Sequence, residues 1–353
     1  MRILFYGAGA IGCFLGGHLA VSGHDVTLLG RESLASVLVK RSLQLNLVDG
    51  PVKVDNIKVA TSLDAALEAG PFDWIAFTMK AYDTTPAIYE LQQIPNLKPV
   101  IASFQNGLGN EESIKAAFGD DSVVAGTVTT PVSIEQMGVV TEEKQRGIAI
   151  ASDSPHAKLV QESFAATKLN VRIIPSSSSL KWSKLLLNII ANAIPAILDR
   201  SSFEVISDKR FFALEMAVLR EAIAVSRFLG VNVTNLPGVP ASLMATAVRS
   251  LPDVVLRPLL SDRVIKGRGQ KPPSLLLALR SGSKRTEAAW LNGGVAQAAQ
   301  TKDRLAPLNH ALALTISDIA AGRESWDSYR QDPARLLAVA SAAQGIDGWR
   351  YGE

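Results

Sequence analysis

Short apolar runs and polar turns alternate through the first half of the chain. "RILFY" (2–6) reads as a buried strand, and "DVTLL" (25–29), "WIAFTM" (74–79), "PVIASF" (99–104) and "SVVAGTV" (122–128) repeat the signal. Stretches of helical character, such as "AIGCFLGGHLAVSG" and "SLDAALEAG", lie between them. That alternation predicts an α/β fold with a doubly wound sheet. "GVVTEE" (138–143) and "RGIAIA" (146–151) read as a hairpin extending the sheet, "AKLVQESFAAT" as a helix and "NVRIIP" as a last strand. A first domain is therefore expected over 1–175, with "SSSS" (176–179) as a linker or helix cap. Beyond Leu180 strand signals fade, so an all-α domain is expected over 176–322, followed by an extension, 323–353, of unassigned role.

One helical stretch breaks the usual pattern. In "KWSKLLLNIIANAIPAIL" (181–198) nearly every position from Leu185 onward is apolar, yet Lys184, Asn188 and Asn192 recur at intervals of four. Residues four apart advance only ~40° around a helix axis, so the three form one narrow polar stripe. The other faces predict burial nearly all round. A buried lysine or amide is costly unless paired. The stripe therefore faces either solvent, where long charged side chains are more usual, or a ligand. Pro195 is expected to end or kink the helix.

The first strand runs directly into "GAGAIG", residues Gly7, Ala8, Gly9, Ala10, Ile11 and Gly12. In this spacing Gly7 allows a tight turn, Gly9 lets backbone approach a pyrophosphate and Gly12 permits close helix–strand packing. Amide N–H groups at the helix start then face an anion. The strand before, the helix after and the second strand at the expected distance point to a dinucleotide site. "LLGRES" ends that second strand, where an acidic residue suits NAD and an arginine suits a 2′-phosphate. Arg31 favours NADPH through its planar fork. Glu32 is adjacent, and a solvated loop charge is the plain alternative for Arg31. Ligand loops follow strand ends in such sheets, which singles out Lys80 in "MKAYDT" and Gln105, Asn106 and Gly107 in "FQNGLGNEE". Lys80 could approach cofactor phosphates, and Asn106 the nicotinamide end or the substrate.

Composition narrows the classes. The chain has 353 residues, 47% hydrophobic and 20% charged, as a soluble globular protein has. A net charge of +3 argues against a dedicated nucleic-acid binder. Between Arg263 and Thr286, however, lie Arg263, Lys266, Arg268, Lys271, Arg280, Lys284 and Arg285 with no acidic residue. That cluster suits an anionic ligand or, more commonly, a solvated loop. Cys13 is the single cysteine, which excludes an intrachain disulfide framework and fits a reducing compartment. The four histidines are scattered, with no case for a metal site. The N-terminal residues superficially resemble a lipoprotein signal, but glycines break the apolar region and the periodic pattern continues past it. No run approaches the ~20 apolar residues of a membrane span, so a cytoplasmic enzyme without a membrane partner is expected.

"GAGAIG", "MKAYDT", "FQNGLG", "KWSKLLLNIIANAIPAI" and "RTEAAWLNG", in that order, resemble the ketopantoate reductases (2-dehydropantoate 2-reductases) over residues 1 to about 320. The resemblance implies a Rossmann domain and a helical domain with the active site in the cleft between them. It implies NADPH-dependent reduction of a small 2-keto acid, ketopantoate, to the (R)-2-hydroxy acid in the branch leading to pantothenate and coenzyme A. By the same resemblance Lys184 is the catalytic lysine and Glu287 the glutamate of the T-E motif. Asn106, Asn188, Asn192 and Ser274 contact substrate, and Arg31 and Lys80 hold NADPH. A homodimer is also implied. Four features depart from the family pattern: Ala278 stands where an aspartate is usual, the stretch from Ser274 to Glu287 is one residue longer, the segment 233–272 is enlarged, and the tail beyond 322 is additional. They leave open reduction of another 2-keto acid, or a nonenzymatic NADP-binding sensor.

Overall fold

The computed structural model describes residues 1–68, 70–268 and 272–345, with backbone only over 261–268. The chain divides into two compact units: Met1–Gln105, Gly109–Lys181 and Leu236–Val239 form one, and Asn106–Leu108, Trp182–Asn235 and the chain from Pro240 form the other. One of the crossings between them falls at Lys181/Trp182, inside a helix and six residues beyond the expected 175/176 boundary.

In the first unit the order is β1 (Arg2–Tyr6), α1 (Ala10–Val21), β2 (Asp25–Leu29), α2 (Glu32–Leu38), β3 (Leu43–Leu47), β4 (Gly50–Val54), β5 (Ile57–Ala60), α3 (Leu63–Leu67) and β6 (Trp74–Phe77). It continues through α4 (Thr84–Gln92), β7 (Ile101–Ser103), α5 (Asn110–Phe118), β8 (Val123–Val128), β9 (Val132–Gln136), β10 (Val139–Glu142), β11 (Ile148–Ala151), α6 (Ala157–Ser163) and β12 (Val171–Ile174). The large sheet runs β12-β11-β8-β7-β6-β1-β2-β5, with apolar cores on both faces. A second sheet runs β4-β3-β10-β9. Buried on both faces, the central strands need no polar alternation, which is why β6 reads as an unbroken apolar run and β8 is interrupted only by Thr127.

The hairpin expected from 138–143 and 146–151 does not form. β10 pairs with β9 and β3 in the small sheet, whereas β11 runs antiparallel to β8 in the large one. The transfer occurs at Gly147 (φ +134°), whose Cβ would lie 2.2 Å from the Asn170 carbonyl oxygen. Gly147 N–H donates to Thr130 Oγ1 at 2.8 Å, and its carbonyl accepts from Thr129 N–H at 3.0 Å. The β9–β10 excursion is thus inserted at the tip of a β8–β11 hairpin.

Helix α1 lies against both sheets. A Cβ on Gly16 would sit 2.9 Å from Leu28 Cδ2 of the large sheet, and one on Gly17 would sit 2.9 Å from Leu45 Cδ1 of the small sheet. Adjacent glycines let both sheets close on one helix, so it is buried from Gly12 to Ala20.

The second unit is helical. The stretch 176–179 is not a linker, since α7 (Ser177–Ile189) already includes Ser177 to Ser179. α8 (Ala193–Leu198), α9 (Ser202–Ser207), α10 (Lys209–Phe228), α11 (Ala241–Ser250), α12 (Asp253–Arg268) and α13 (Ser274–Arg280) follow. α14 (Asn292–Gln300), α15 (Pro307–Ala320), α16 (Asp327–Arg330) and α17 (Ala334–Gln344) complete the described chain. The apolar stretch 181–198 is nearly all buried, but it breaks between α7 and α8 at Ala191 (φ 47°), upstream of the expected kink at Pro195. Inside a helix the Pro195 ring would clash with the carbonyl four residues earlier, that of Ala191. The break relieves this and leaves Pro195 in the first turn of α8, where no N–H donor is needed. Ala191 N–H donates to buried Glu215 at 3.1 Å, and its carbonyl accepts from Ser202 Oγ at 3.2 Å. Glu221, also on α10, accepts from Leu308 N–H at 3.1 Å and Asn309 N–H at 2.8 Å, capping α15. Burial raises its carboxyl pKa.

The tail beyond 322 belongs to this unit's core. Trp326 Nε1–H donates to the carbonyls of Ala196 and Ile197 at 3.0 and 2.9 Å, closing the C-terminus of α8. Tyr329 and Leu336 are fully buried. Among the described residues no helix is long and apolar enough to cross a membrane.

Burial on α1 lowers the His18 pKa from its ordinary 6.5 to about 4. The unfolded chain therefore binds the proton first, so this stabilisation is complete above pH 6.5 and is lost as pH falls toward 4. The loss amounts to at most about 3 kcal/mol. Thermal melts of wild type and His18→Leu between pH 7 and pH 4 should show a shallower acid decline in the variant.

Candidate active site

The glycine turn after β1 has the geometry of an anion cradle. Gly7 holds φ +111°, and a Cβ there would lie 2.4 Å from Met79 N. A Cβ on Gly12 would lie 2.1 Å from Gly7 O, so α1 is in direct contact with the turn. Gly9, exposed at the N-cap of α1, would meet nothing within 4 Å. No side chain caps the α1 N-terminus, which leaves its amides for an anion. Ala8, Ala10 and Ile11 are half-buried around it. Gly30 ends β2 against Ala8, where a Cβ would approach Ala8 Cβ to 2.8 Å. Arg31 follows, exposed at the N-cap of α2, and Lys80 is exposed just beyond β6. Open space at Gly9, unclaimed helix amides and a cationic fork at the end of β2 fit a phosphorylated dinucleotide.

Gln105 turns out to be a buried strut. Its Nε2–H donates to Met79 O at 3.2 Å and Thr84 Oγ1 at 2.8 Å. Beside it is a residue that the sequence reading missed. The Lys181 ammonium, 5% exposed, sits 2.6 Å from the Glu111 carboxylate and donates to the carbonyls of Gln105 and Ser103 at 2.9 and 3.2 Å. The lysine at the start of α7 is thereby spent on structure, tied to the peptide immediately before Asn106. The signal was the first lysine of "KWSK" together with the "EE" after "NGLGN".

In the second unit the polar stripe is one hydrogen-bonded line. Asn188 Nδ2–H donates to Asn106 Oδ1 at 2.9 Å. Asn192 Nδ2–H donates to Asn188 O at 2.8 Å and to Ser274 Oγ at 3.4 Å. Asn192 Oδ1 accepts from Leu275 N–H at 3.2 Å, capping α13. Asn192 therefore differs from the expectation of a substrate contact: the break at Ala191 makes it the N-cap of α8, 2% exposed and committed to protein partners. Asn106 and Asn188 are half-buried and Ser274 is exposed. Lys184, one turn before Asn188, is half-buried.

The Asn106 loop is docked onto the turn that carries Glu287. Leu108 N–H donates to Trp290 O at 2.9 Å. Gly107 (φ +87°) approaches so closely that a Cβ would lie 2.5 Å from that same oxygen. Trp290 N–H in turn donates to the carbonyl of buried Glu287, in the 3-10 turn capped by Thr286. Asn106, Asn188, Asn192 and Ser274 are thus joined directly, and Glu287 is tied to Asn106 through two backbone bonds. The basic cluster is less unified. Arg280 pairs with Asp199 at 2.7 Å, Lys284 is exposed, and the side chains of Arg263, Lys266, Arg268 and Lys271 lie outside the described residues.

Two family models match the chain, Ketopantoate reductase PanE/ApbA over residues 3–154 and its C-terminal counterpart over 178–320. A 2-dehydropantoate 2-reductase of Pyrococcus horikoshii is 28% identical over 317 residues, covering 88% of this chain and 95% of that protein. Among solved structures, a PanE/ApbA family ketopantoate reductase from Ralstonia eutropha JMP134 superposes with a TM-score of 0.75 at 23% identity, covering 92% of this chain and 99% of that one. D-mandelate dehydrogenase, solved with NADH and anilino(oxo)acetate, superposes with a TM-score of 0.72 at 17% identity, covering 91% and 99%.

Removing one partner of the Lys181–Glu111 pair leaves the other charge buried, at a cost of about 3–5 kcal/mol. Lys181→Met and Glu111→Leu should each lower the denaturation midpoint strongly. The double variant should recover part of the loss in the same urea titration.

Proposed function

The chain belongs to the ketopantoate reductase family, a family of nicotinamide-dependent oxidoreductases, and from that premise we propose that it reduces 2-dehydropantoate to (R)-pantoate with NADPH. The observation that carries the reading is the line from Ser274 through Asn192 and Asn188 to Asn106, with Lys184 one helical turn before Asn188.

The backbone of Gly7 to Gly12 would hold the cofactor pyrophosphate, Arg31 its 2′-phosphate, and Lys80 a further phosphate oxygen. When bound, the nicotinamide supplies the hydride that becomes the new C–H bond. The carbonyl oxygen gains negative charge as that bond forms. The Lys184 ammonium lowers the energy of that charge and then donates the proton that completes the hydroxyl group. Asn106 and Asn188 orient the substrate, Ser274 takes its carboxylate, and Asn192 positions Asn188 and Ser274. Glu287 holds the turn on which the Asn106 loop rests and acts beside the lysine.

A second reading, reduction of another 2-keto acid by the same groups, is favoured by Ala278 on α13, in the helix that begins with Ser274. The readings separate in one assay: NADPH oxidation followed at 340 nm with ketopantoate and with other 2-keto acids. The expected result is preference for ketopantoate. Fastest turnover of a different keto acid would move the assignment to the second reading.

Lys184→Ala should lower kcat by roughly two to three orders of magnitude, while NADPH binding followed by fluorescence stays intact. Arg31→Ala should weaken NADPH about tenfold and leave NADH affinity unchanged, because a lost charge-assisted contact to the 2′-phosphate is worth about 1.4 kcal/mol.

A further inference from the structure

The first unit contains a cavity of about 310 Å³ that the proposed reaction does not use. It lies by the far end of α1 from the glycine turn: His18 is six residues beyond Gly12, ~9 Å along the helix. Its walls are α1, the β3–β4 turn and the segments through which the chain transfers between the two sheets.

The inner surface is rich in hydrogen-bond acceptors. Glu142 is 8% exposed; one carboxylate oxygen accepts from Val48 N–H at 3.2 Å, and no cation pairs with it among the described residues. A buried carboxylate with no counter-charge is expensive to maintain. His18, also 8% exposed, packs edge-on against Phe14 with ring centroids 4.7 Å apart. Its Nε2 is buried with no hydrogen-bond partner among the described residues. Burial keeps this ring neutral at ordinary pH, so one ring nitrogen is left to accept a proton donor. At the mouth, Lys168 and Asp49 are exposed.

We propose that this cavity binds a small amino-acid zwitterion, its ammonium on the Glu142 carboxylate and the neutral His18 ring and its carboxylate at Lys168. An ammonium supplies the charge that Glu142 lacks and a donor for the histidine. A simple anion would be repelled by the buried carboxylate. A metal ion is a poor occupant, since the described residues hold no group of three potential ligands. The site is independent of the keto-acid reading, because it shares no residue with the glycine turn or the asparagine line.

The four histidines make the test site-specific. With the imidazole carbons isotopically labelled, the full-length protein is titrated with glycine, L-alanine, methylammonium and acetate, and ring resonances are followed by NMR. Glycine and alanine are expected to shift the His18 signal saturably while leaving those of His156 and His310 unmoved. Methylammonium, lacking the carboxylate, should bind about tenfold more weakly, and acetate should not bind. Glu142→Gln keeps an acceptor for Val48 N–H and should weaken glycine about tenfold or more. Absence of a saturable His18 shift with glycine or alanine at about 50 mM would overturn the proposal, since such binding would lie weaker than any specific site. An undiminished response in Glu142→Gln would overturn it too. Equal affinity for methylammonium and glycine would overturn the zwitterion assignment.

Discussion

A proline ring and the carbonyl four residues before it cannot share one turn of helix, and the helical unit is arranged around that exclusion. Pro195 forces the break at Ala191, and the break turns Asn192 from a point on a continuous stripe into an N-cap. As a cap it reaches both α13 and the last turn of α7, so Ser274 and Asn188 are set by one side chain. The freed backbone groups at 191 are taken by Glu215 and Ser202, which fastens α10 and α9 to the same point. A continuous helix would have offered three parallel polar side chains; the broken one offers a cross-braced set.

Two lysines three residues apart have been given opposite duties. Lys181 is locked by a carboxylate and two carbonyls, its charge neutralised inside the first unit. Lys184, in the second unit, is half-buried. Both lie on α7 (Ser177–Ile189). The same anchor holds the peptide of Gln105, from which Asn106 departs.

Much of this was written in the sequence. The glycine spacing, the buried strands and the apolar helix with its lysine and amides each follow from local periodicity. The small sheet was also signalled, since "LQLNLVDGPVKV" alternates strictly around an Asp-Gly turn, but that run was not read as strands. What local pattern could not carry was partnership. Nothing in "GVVTEE" and "RGIAIA" says that each pairs with a different sheet, because pairing depends on β3 and β8, distant in sequence. The role of Asn192 required knowing that Pro195 would act on residue 191 and that α13 would arrive there. The pairing of Lys181 could not be read from local pattern for the same reason, since its partner is 70 positions upstream.

The tryptophan that closes α8 has a consequence for the order in which a ribosome delivers this chain. The Ile197 carbonyl and the second bond to that of Ala196 wait for Trp326, made 130 residues later than Ala196. The first unit waits as well, for Pro237, whose carbonyl accepts from Thr129 Oγ1 at 2.8 Å. The nucleotide-type sheet can therefore mature while synthesis is under way, but α8, which follows the helix carrying Lys184, gains its last fastening only once residue 326 has emerged. Until then the apolar faces of α7 and α8 are exposed to the cell, and the helical unit is the part of the nascent protein most in need of protection from aggregation.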